Sequence, residues 1–408
     1  MNRRVAVTGI GVVSPLGVGK KVFSRRLFAG ESGIAEVASF DTSPFPSHRG
    51  AEVRDFEPRD FVALKSLRRM DRLSSMVVAS ARMALEDAGL EIFEGNRDRT
   101  GIILGTAFGG TDVKTRCARI LATEGPAGIN PILVPNSVMN APAGHASIEL
   151  GFRGINTTVT HNGTSAETAL AYAAAEISRG RADILLAGGA DILSEFFFET
   201  MVHFHGLSPQ DGQEERAVPF DKARNGYVLG EGCGLLCLEP LDRVRQRGTE
   251  PYCEMTGWGL GSSPAPSTDW PEDPKGLILT IHRALQSAGC SPGEIDLVLA
   301  CANGGRKLDQ MEASALLQIF GEGGIRPRVT SIQGALGESF SSEGIRAAAL
   351  ALAFREGRVP PTLGVSSPLA PLALVTGKSR ETTIRLALLD AASFGGTYAA
   401  LVFAAPEN

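Results

Sequence analysis

The chain has 408 residues, 43% hydrophobic and 21% charged, with a formal net charge of −5. That length supports a large core as two domains or one duplicated unit. The absence of a basic excess and the 6% aromatic content argue against a nucleic-acid partner, and no apolar run reaches the length of a membrane span. The cysteines Cys117, Cys233, Cys237, Cys253, Cys290 and Cys301 are scattered without metal-site spacing, which reads as free thiols in a reducing, cytoplasmic compartment.

"MNRR" followed by "VAVTGIGVVSPLG" mimics a secretion signal, but the apolar run is short, glycine-rich and stopped by Pro15, so it reads as a buried first strand. "TGIILGTAF", "NTTVTHN" and "DILLAGGAD" are the next strands, and "MVVASARMALEDAGL" and "AETALAYAAAEISRG" are helices closing near Gly. After Gly248–Pro251 the theme repeats. "PYCEMTGWGLGSS" is a strand, "SSPAPSTDWPEDP" a surface loop, "GLILTIHRALQSAG" a helix and "IDLVLACANGG" a strand. "RVTSIQG", the helix "SEGIRAAALALAFREG" and the strands "TIRLALLDAASFGG" and "YAALVFAA" complete it. Such alternation predicts a layered α/β fold of two similar halves, 1–250 and 251–408.

Within the first half, "NTTVTHNGTSA" runs a β-branched strand into a turn from which an alanine-rich helix leaves. A nucleophile commonly sits at such a turn, where the helix N-terminus stabilises negative charge. Here the turn carries Gly163, which has no side chain.

The ordered set "VAVTGIGVVSPLG", "RRMDRLSSMVVASARMALEDAGL", "LVPNSVMNAPAGHASIELGFRG", "RADILLAGGAD", "AVPFDKARNGYVLGEG" and "FGGT" resembles the β-ketoacyl synthases over essentially the whole chain. The elongating acyl-carrier-protein enzymes and the ketosynthase subunits of type II polyketide systems are the nearest in pattern. The resemblance implies the thiolase fold, two αβαβα-type halves in a five-layered core, and a dimer. It implies no cofactor and no metal. Members of that family decarboxylate a malonyl thioester and condense it with an acyl group held on Cys, using two histidines and a lysine. Carried over by position, the nucleophile becomes Gly163, the first histidine Cys301, the lysine Gln333, and the second histidine, in "GESFSS", Glu338. Two threonines that grip pantetheine become Asn303 and Gly305. A glycine cannot hold a thioester, and an ionised Glu338 would repel the malonyl carboxylate and the enolate. What remains is scaffold: Asp221, Arg224, Gly230, Glu231, the acidic pair Asp309 and Glu312, and the gating loop Phe394, Gly395 and Gly396.

The pattern therefore resembles the chain-length factors, or ketosynthase β-subunits, which lack the nucleophile and pair with an active ketosynthase. Many carry Gln where this chain has Gly163, a departure that leaves room for aryl-polyene and other polyene pathways. The resemblance implies a heterodimer with an active ketosynthase, whose acyl tunnel this chain shapes, and contact with acyl carrier protein through that partner. Phe108, Thr111 and Val113 fall closest to the partner's tunnel, and Ile132, Leu133, Val138 and Met139 at its floor, with ordinary core packing the alternative for each. Lys65, Arg68 and Arg69 match a carrier-protein docking patch, or form a solvated helix face. His161 beside the elbow is either a relocated acid–base group or structural, and Cys301 is a candidate new nucleophile. A thioesterase or acyltransferase built on either residue, or a homodimeric acyl-binding protein, is the alternative reading. "VHFHG" places His203 and His205 on one face of a strand-like run, without further ligands to hold a metal.

Overall fold

A computed structural model describes residues 3–321, 327–341 and 344–407. Ser342, the end of "GESFSS" and the start of the segment read as its following helix, lies outside them, as do Met1 and Asn2 of "MNRR".

Ten strands carry the topology, in one continuous sheet with the short Gly17–Val18 strand paired on the first. In the first half they are β1 (Val5–Ser14), β2 (Thr100–Gly105), β3 (Asn156–Val159), β4 (Ile184–Asp191) and β5 (Gly232–Pro240). In the second they are β6 (Cys253–Ser262), β7 (Leu297–Leu299), β8 (Arg328–Thr330), β9 (Leu386–Ser393) and β10 (Thr397–Ala404). From the centre outward the first half runs β1-β5-β4-β2-β3 and the second β6-β10-β9-β7-β8. Both halves follow the same order of first, fifth, fourth, second and third strand. This is the duplication expected from the sequence, and β1 joins the halves by pairing antiparallel with β6, Val5 opposite Met255.

The helices are α1 (Lys20–Ala29), α2 (Arg72–Asp87), α3 (Thr111–Glu124), α4 (Ala141–Leu150), α5 (Ser165–Ser178), α6 (Lys275–Ala288), α7 (Arg306–Phe320) and α8 (Gly344–Glu356). α5 and α8 touch strands of both halves. Their sequences show why they take the central layer. α8 is buried continuously from Gly344 to Ala353, and α5 on nearly all sides. A helix buried on all sides belongs in the interior, and their many alanines let the strands of both halves approach closely. α2 and α6 cover the outer faces, completing the layered arrangement of a thiolase fold.

The histidines of "VHFHG" do not lie on a strand. His203 ends the helix Glu195–His203, and His205 sits beyond it at φ 51°. Ser194 starts that helix by accepting a hydrogen bond from the Phe197 N–H, and such an N-cap favours helix over an extended run. The two imidazoles therefore do not share a strand face.

Candidate active site

The elbow forms as the sequence predicts. β3 ends at Val159, a short turn of 3₁₀ helix covers Asn162–Thr164, and α5 begins at Ser165. Asn162 takes the left-handed conformation at φ 49°, its carbonyl accepting hydrogen bonds from the hydroxyls of Ser165 and Ser341. Gly163 follows, buried, at the N-terminus of α5. Its N–H, the natural donor to an oxyanion there, is given to Ser393 Oγ at 2.9 Å. A β-carbon placed on Gly163 would lie 3.2 Å from that oxygen and 3.6 Å from Phe340 Cδ1. A side chain at this position would meet a serine hydroxyl and a phenyl ring.

Phe340 is the centre of this filling. It is fully buried and held at φ 57°, a conformation that is costly for a bulky residue and that its surroundings must impose. Its ring stands edge-on to Phe108 at 5.5 Å, Phe197 at 5.6 Å, Tyr227 at 6.0 Å and Phe394 at 5.4 Å. Phe108 lies 3.9 Å from Phe197, centroid to centroid. Phe108 is thus part of its own chain's aromatic cluster, and its N–H is fixed by Asp191 Oδ1 at 3.1 Å. Asp191 also accepts from Thr106 Oγ1, Ala107 N–H and Ser341 N–H, tying β2, β4 and the "GESFSS" segment together.

Glu338 makes defined contacts inside the site. Its Oε1 accepts from the Phe340 N–H at 2.7 Å and its Oε2 from Asn303 Nδ2 at 2.8 Å. Asn303 in turn accepts from the Gly305 N–H and donates its own N–H to Asp309. The two side chains thus complement each other: the Glu338 carboxylate accepts from the Asn303 amide. Gln333 is buried at the start of the short helix Gln333–Leu336.

Cys301 lies at the end of β7, buried, with its N–H donated to Glu312 Oε1 at 2.7 Å. Burial first, then the carboxylates Glu312 and Asp390, push its thiol well above its ordinary range, while Glu338 pairs with Asn303. Cys301, Glu312 and Asp390 place their ligand-type atoms within 4.8 Å of one another. The positive charge among them belongs to Arg346, which is 1% exposed, donates to the carbonyls of Leu299 and Asp390, and reaches Glu167 Oε1 at 3.3 Å. A thiol held protonated amid carboxylates is a poor nucleophile. His161 is exposed, and its ring makes no hydrogen bond among the described residues; only its backbone serves the elbow.

A cavity of about 330 Å³ leads from solvent to this plug. Gly305, Arg306 and Lys307 form one wall, His205 and Gln210 another, and Tyr227, Trp270 and Phe394 the inner end. In the gating loop Phe394 packs edge-on against Trp270 at 5.9 Å, which the "SSPAPSTDWPEDP" loop supplies. Gly395 and Gly396 have φ of 78° and 77°, and a β-carbon on Gly396 would meet the Ser263 carbonyl at 2.1 Å, so this turn requires glycine. The scaffold residues brace the rim. Asp309 accepts from the N–H groups of Phe220, Asn303 and Gly304, Asp221 from those of Ala223, Ser366 and Ser367, and Glu231 from Val53, Leu193 and Arg72.

The other sequence candidates are dispersed. Lys65, Arg68 and Arg69 are exposed on and just after the short helix Leu64–Leu67. None makes an ion pair among the described residues, and Asp71 caps α2 rather than pairing with Arg68. Thr111 and Val113 open α3, Val113 buried. Leu133 and Met139 are half-buried, Met139 against Gly109. Sequence reasoning missed Phe340, Ser393, Phe197 and Tyr227. Only Phe340 carried a signal, as a phenylalanine inside the divergent "GESFSS".

Residues 2–243 match the family model of the β-ketoacyl synthase N-terminal domain, and residues 252–366 that of the C-terminal domain. The chain belongs to the β-ketoacyl synthase family. It is 32% identical over 405 residues to 3-oxoacyl-[acyl-carrier-protein] synthase 2 of Coxiella burnetii, covering 98% of each chain. It is 31% identical to the protein of that name in Vibrio cholerae, covering 98% of this chain and 99% of the other. Among solved structures, the ishigamide ketosynthase/chain length factor superposes with a TM-score of 0.92 at 30% identity, over all of both chains. The AntDE:AntF complex, a type II PKS acyl-carrier protein with its ketosynthase bound to the hexaketide, gives 0.90 at 25% identity over all of both chains. No helix among the described residues is long and apolar enough to cross a membrane.

Proposed function

We propose that this chain is a non-condensing ketosynthase subunit, a chain-length factor, that pairs in the cytoplasm with an active β-ketoacyl synthase and shapes its acyl tunnel. The observation that carries the reading is the plugged elbow: Gly163 at the nucleophile position, its N–H spent on Ser393, and Phe340 filling the space before it. Condensation needs a thiolate, an oxyanion donor and imidazoles at that place. One lost oxyanion donor alone costs about 10²–10³ in rate, and here the nucleophile is gone as well. The likeness to a ketosynthase/chain length factor structure supports the reading.

The partner's side of the proposal rests on the β3 edge. Beyond β3 the sheet has no further strand among the described residues, and Asn156 and Thr157 are exposed. Around it, Ile132, Val134, Val138 and Ile148 are large apolar residues between 49% and 77% exposed. An open edge flanked by apolar side chains is a liability unless another chain covers it. Phe108, Thr111 and Val113 join the plugged site to this face, since Gly109 abuts Met139 and Gly110 abuts Asn136. Acyl carrier protein would then meet the pair, with Lys65, Arg68 and Arg69 available to its acidic surface.

Co-expression with a cysteine-bearing β-ketoacyl synthase from the same genome tests the proposal. The two chains should co-purify, the pair should make carrier-bound ketoacyl products, and this chain alone should make none. A stable acyl adduct on the isolated chain would overturn the non-condensing reading and favour the alternative of a relocated nucleophile. Failure to co-purify would overturn the subunit reading.

A further inference from the structure

Away from the elbow, α1 and the C-terminal end of α8 flank an open groove of about 560 Å³, sharing no lining residue with the cavity that leads to the plug. Lys20, Lys21, Arg25, Arg355 and Arg358 line it, against a single lining carboxylate, Glu356. This concentration of positive charge stands in a chain of net charge −5. It also opposes local preference. Lys20 and Lys21 occupy the first turn of α1, which contains no acidic residue, although the helix dipole disfavours cations at that end.

We infer that this groove binds a small anion carrying two or more phosphate groups. Two of the cations, Arg355 and Arg358, are held in place without being neutralised. Arg355 donates Nη2 to the carbonyls of Glu250 and Pro251 and lies 4.5 Å over the Tyr252 ring. Arg358 donates Nη2 to Ser379 Oγ and lies 5.7 Å over Phe28. Neutral oxygens and aromatic faces fix both guanidinium groups and leave Nε and Nη1 of each without a partner among the described residues. Lys20 is the neutralised member, paired with Asp87 and hydrogen-bonded to Tyr252 Oη. Lys21 and Arg25 are exposed and make no ion pair among the described residues. Guanidinium forks match phosphate oxygens bidentately, and lysines add point charge. The volume lies within the range of small-molecule sites, and the several cations gathered in it match an anion of more than one negative charge.

The test is calorimetric titration of the full chain, with its partner if the two purify together, using inorganic pyrophosphate and ADP as probes. One saturable site per chain is expected, weakening as salt rises. Lys21→Glu with Arg25→Glu should weaken pyrophosphate binding by about tenfold or more, the scale of charge-assisted hydrogen bonds lost, while the unfolding temperature stays put because both side chains are exposed. If that pair fails to fold, Arg25→Ala serves the same purpose. Lys65→Glu with Arg68→Glu, at the other basic patch, should leave binding unchanged. Absence of saturable binding, or binding indifferent to Lys21 and Arg25, overturns the inference. Tighter binding of a glutamate-rich peptide than of pyrophosphate at the same residues also overturns it, in favour of a protein partner. None of these outcomes bears on the proposed pairing with a ketosynthase.

Discussion

Gly163 shows how much one residue decides. Restoring a thiol there leaves the rest of the elbow unchanged. The new side chain would press on Ser393 at 3.2 Å and face Phe340, with the Glu338 carboxylate held by Asn303 and the Phe340 N–H nearby and no imidazole brought to it among the described residues. Gly163→Cys should therefore yield no ketoacyl product from acyl and malonyl carrier proteins, and intact-mass measurement should find no acylated protein. Efficient malonyl decarboxylation by this variant would show that the Glu338 carboxylate does not oppose the enolate. Phe340 is the complementary case. Phe340→Ala keeps the left-handed backbone and removes a fully buried ring touching four others, so it should cost about 3–5 kcal/mol of stability, read from denaturant unfolding. A loss below about 1 kcal/mol would mean the cluster closes over the gap. The Glu338–Asn303 pair was legible only as two departures from a family pattern, because residues 35 apart in sequence reveal their complementarity only when the fold brings them together.

Among the elements, β3 and its neighbours carry the assembly argument. α4 packs on β3 through Asn156, whose Nδ2 reaches the Ala143 carbonyl and Ser147 Oγ, and Ile148 on α4 is 77% exposed. Ile148→Glu should leave this chain folded, since a surface change away from buried contacts costs within about 0.5 kcal/mol. It should nevertheless abolish or sharply reduce co-purification with the ketosynthase, since an unpaired charge would be buried at the interface. Undiminished co-purification would place the partner elsewhere. Phe108→Ala belongs to this scale too, because the segment Phe108–Val113 links the aromatic cluster to that face. Product mass spectra of the co-expressed pair should shift to longer or more varied chains, with chemistry still at the partner's cysteine. Unchanged lengths would remove Phe108 from the tunnel and leave it to the cluster.

For the whole molecule, buried carboxyls set the response to pH. Burial pushes Asp191 and Asp309 up to about 6 against the several N–H groups that favour their charged forms. Burial also raises Asp390, and burial with Asp390 beside it raises Glu312. Unfolded aspartates titrate near about 3.9. Between those limits the folded chain holds protons that the unfolded chain has released. Stability therefore rises as pH falls through about 6 and levels off near about 4. Asp183 works in the opposite sense. Hydrogen bonds from Arg99 hold its carboxyl below the usual range, so its contribution is present above the unfolded value and lost as pH drops below about 4. Maximum stability should lie on the acid side of neutrality. The unfolding midpoint near pH 5 should exceed that near pH 7.5 by roughly 2 kcal/mol in stability, measured by denaturant titration. A midpoint that is flat or higher at pH 7.5 would show that Asp191 and Asp309 titrate as ordinary carboxyls.

The sequence by itself determined the layered α/β architecture, the repeat of its halves, the elbow and the absence of a side chain at Gly163. These follow from local patterns: apolar runs bounded by glycine, alanine-rich helices, and a strand–turn–helix at "NTTVTHNGTSA". Tertiary structure decided what fills the elbow and what satisfies its changed residues. Ser393 reaches Gly163 from 230 residues away, Phe340 sits in the left-handed region inside an aromatic cluster, and Arg346 gathers carboxylates from both halves. Such contacts leave no period or spacing in the chain, because they depend on which surfaces meet once the sheet has formed.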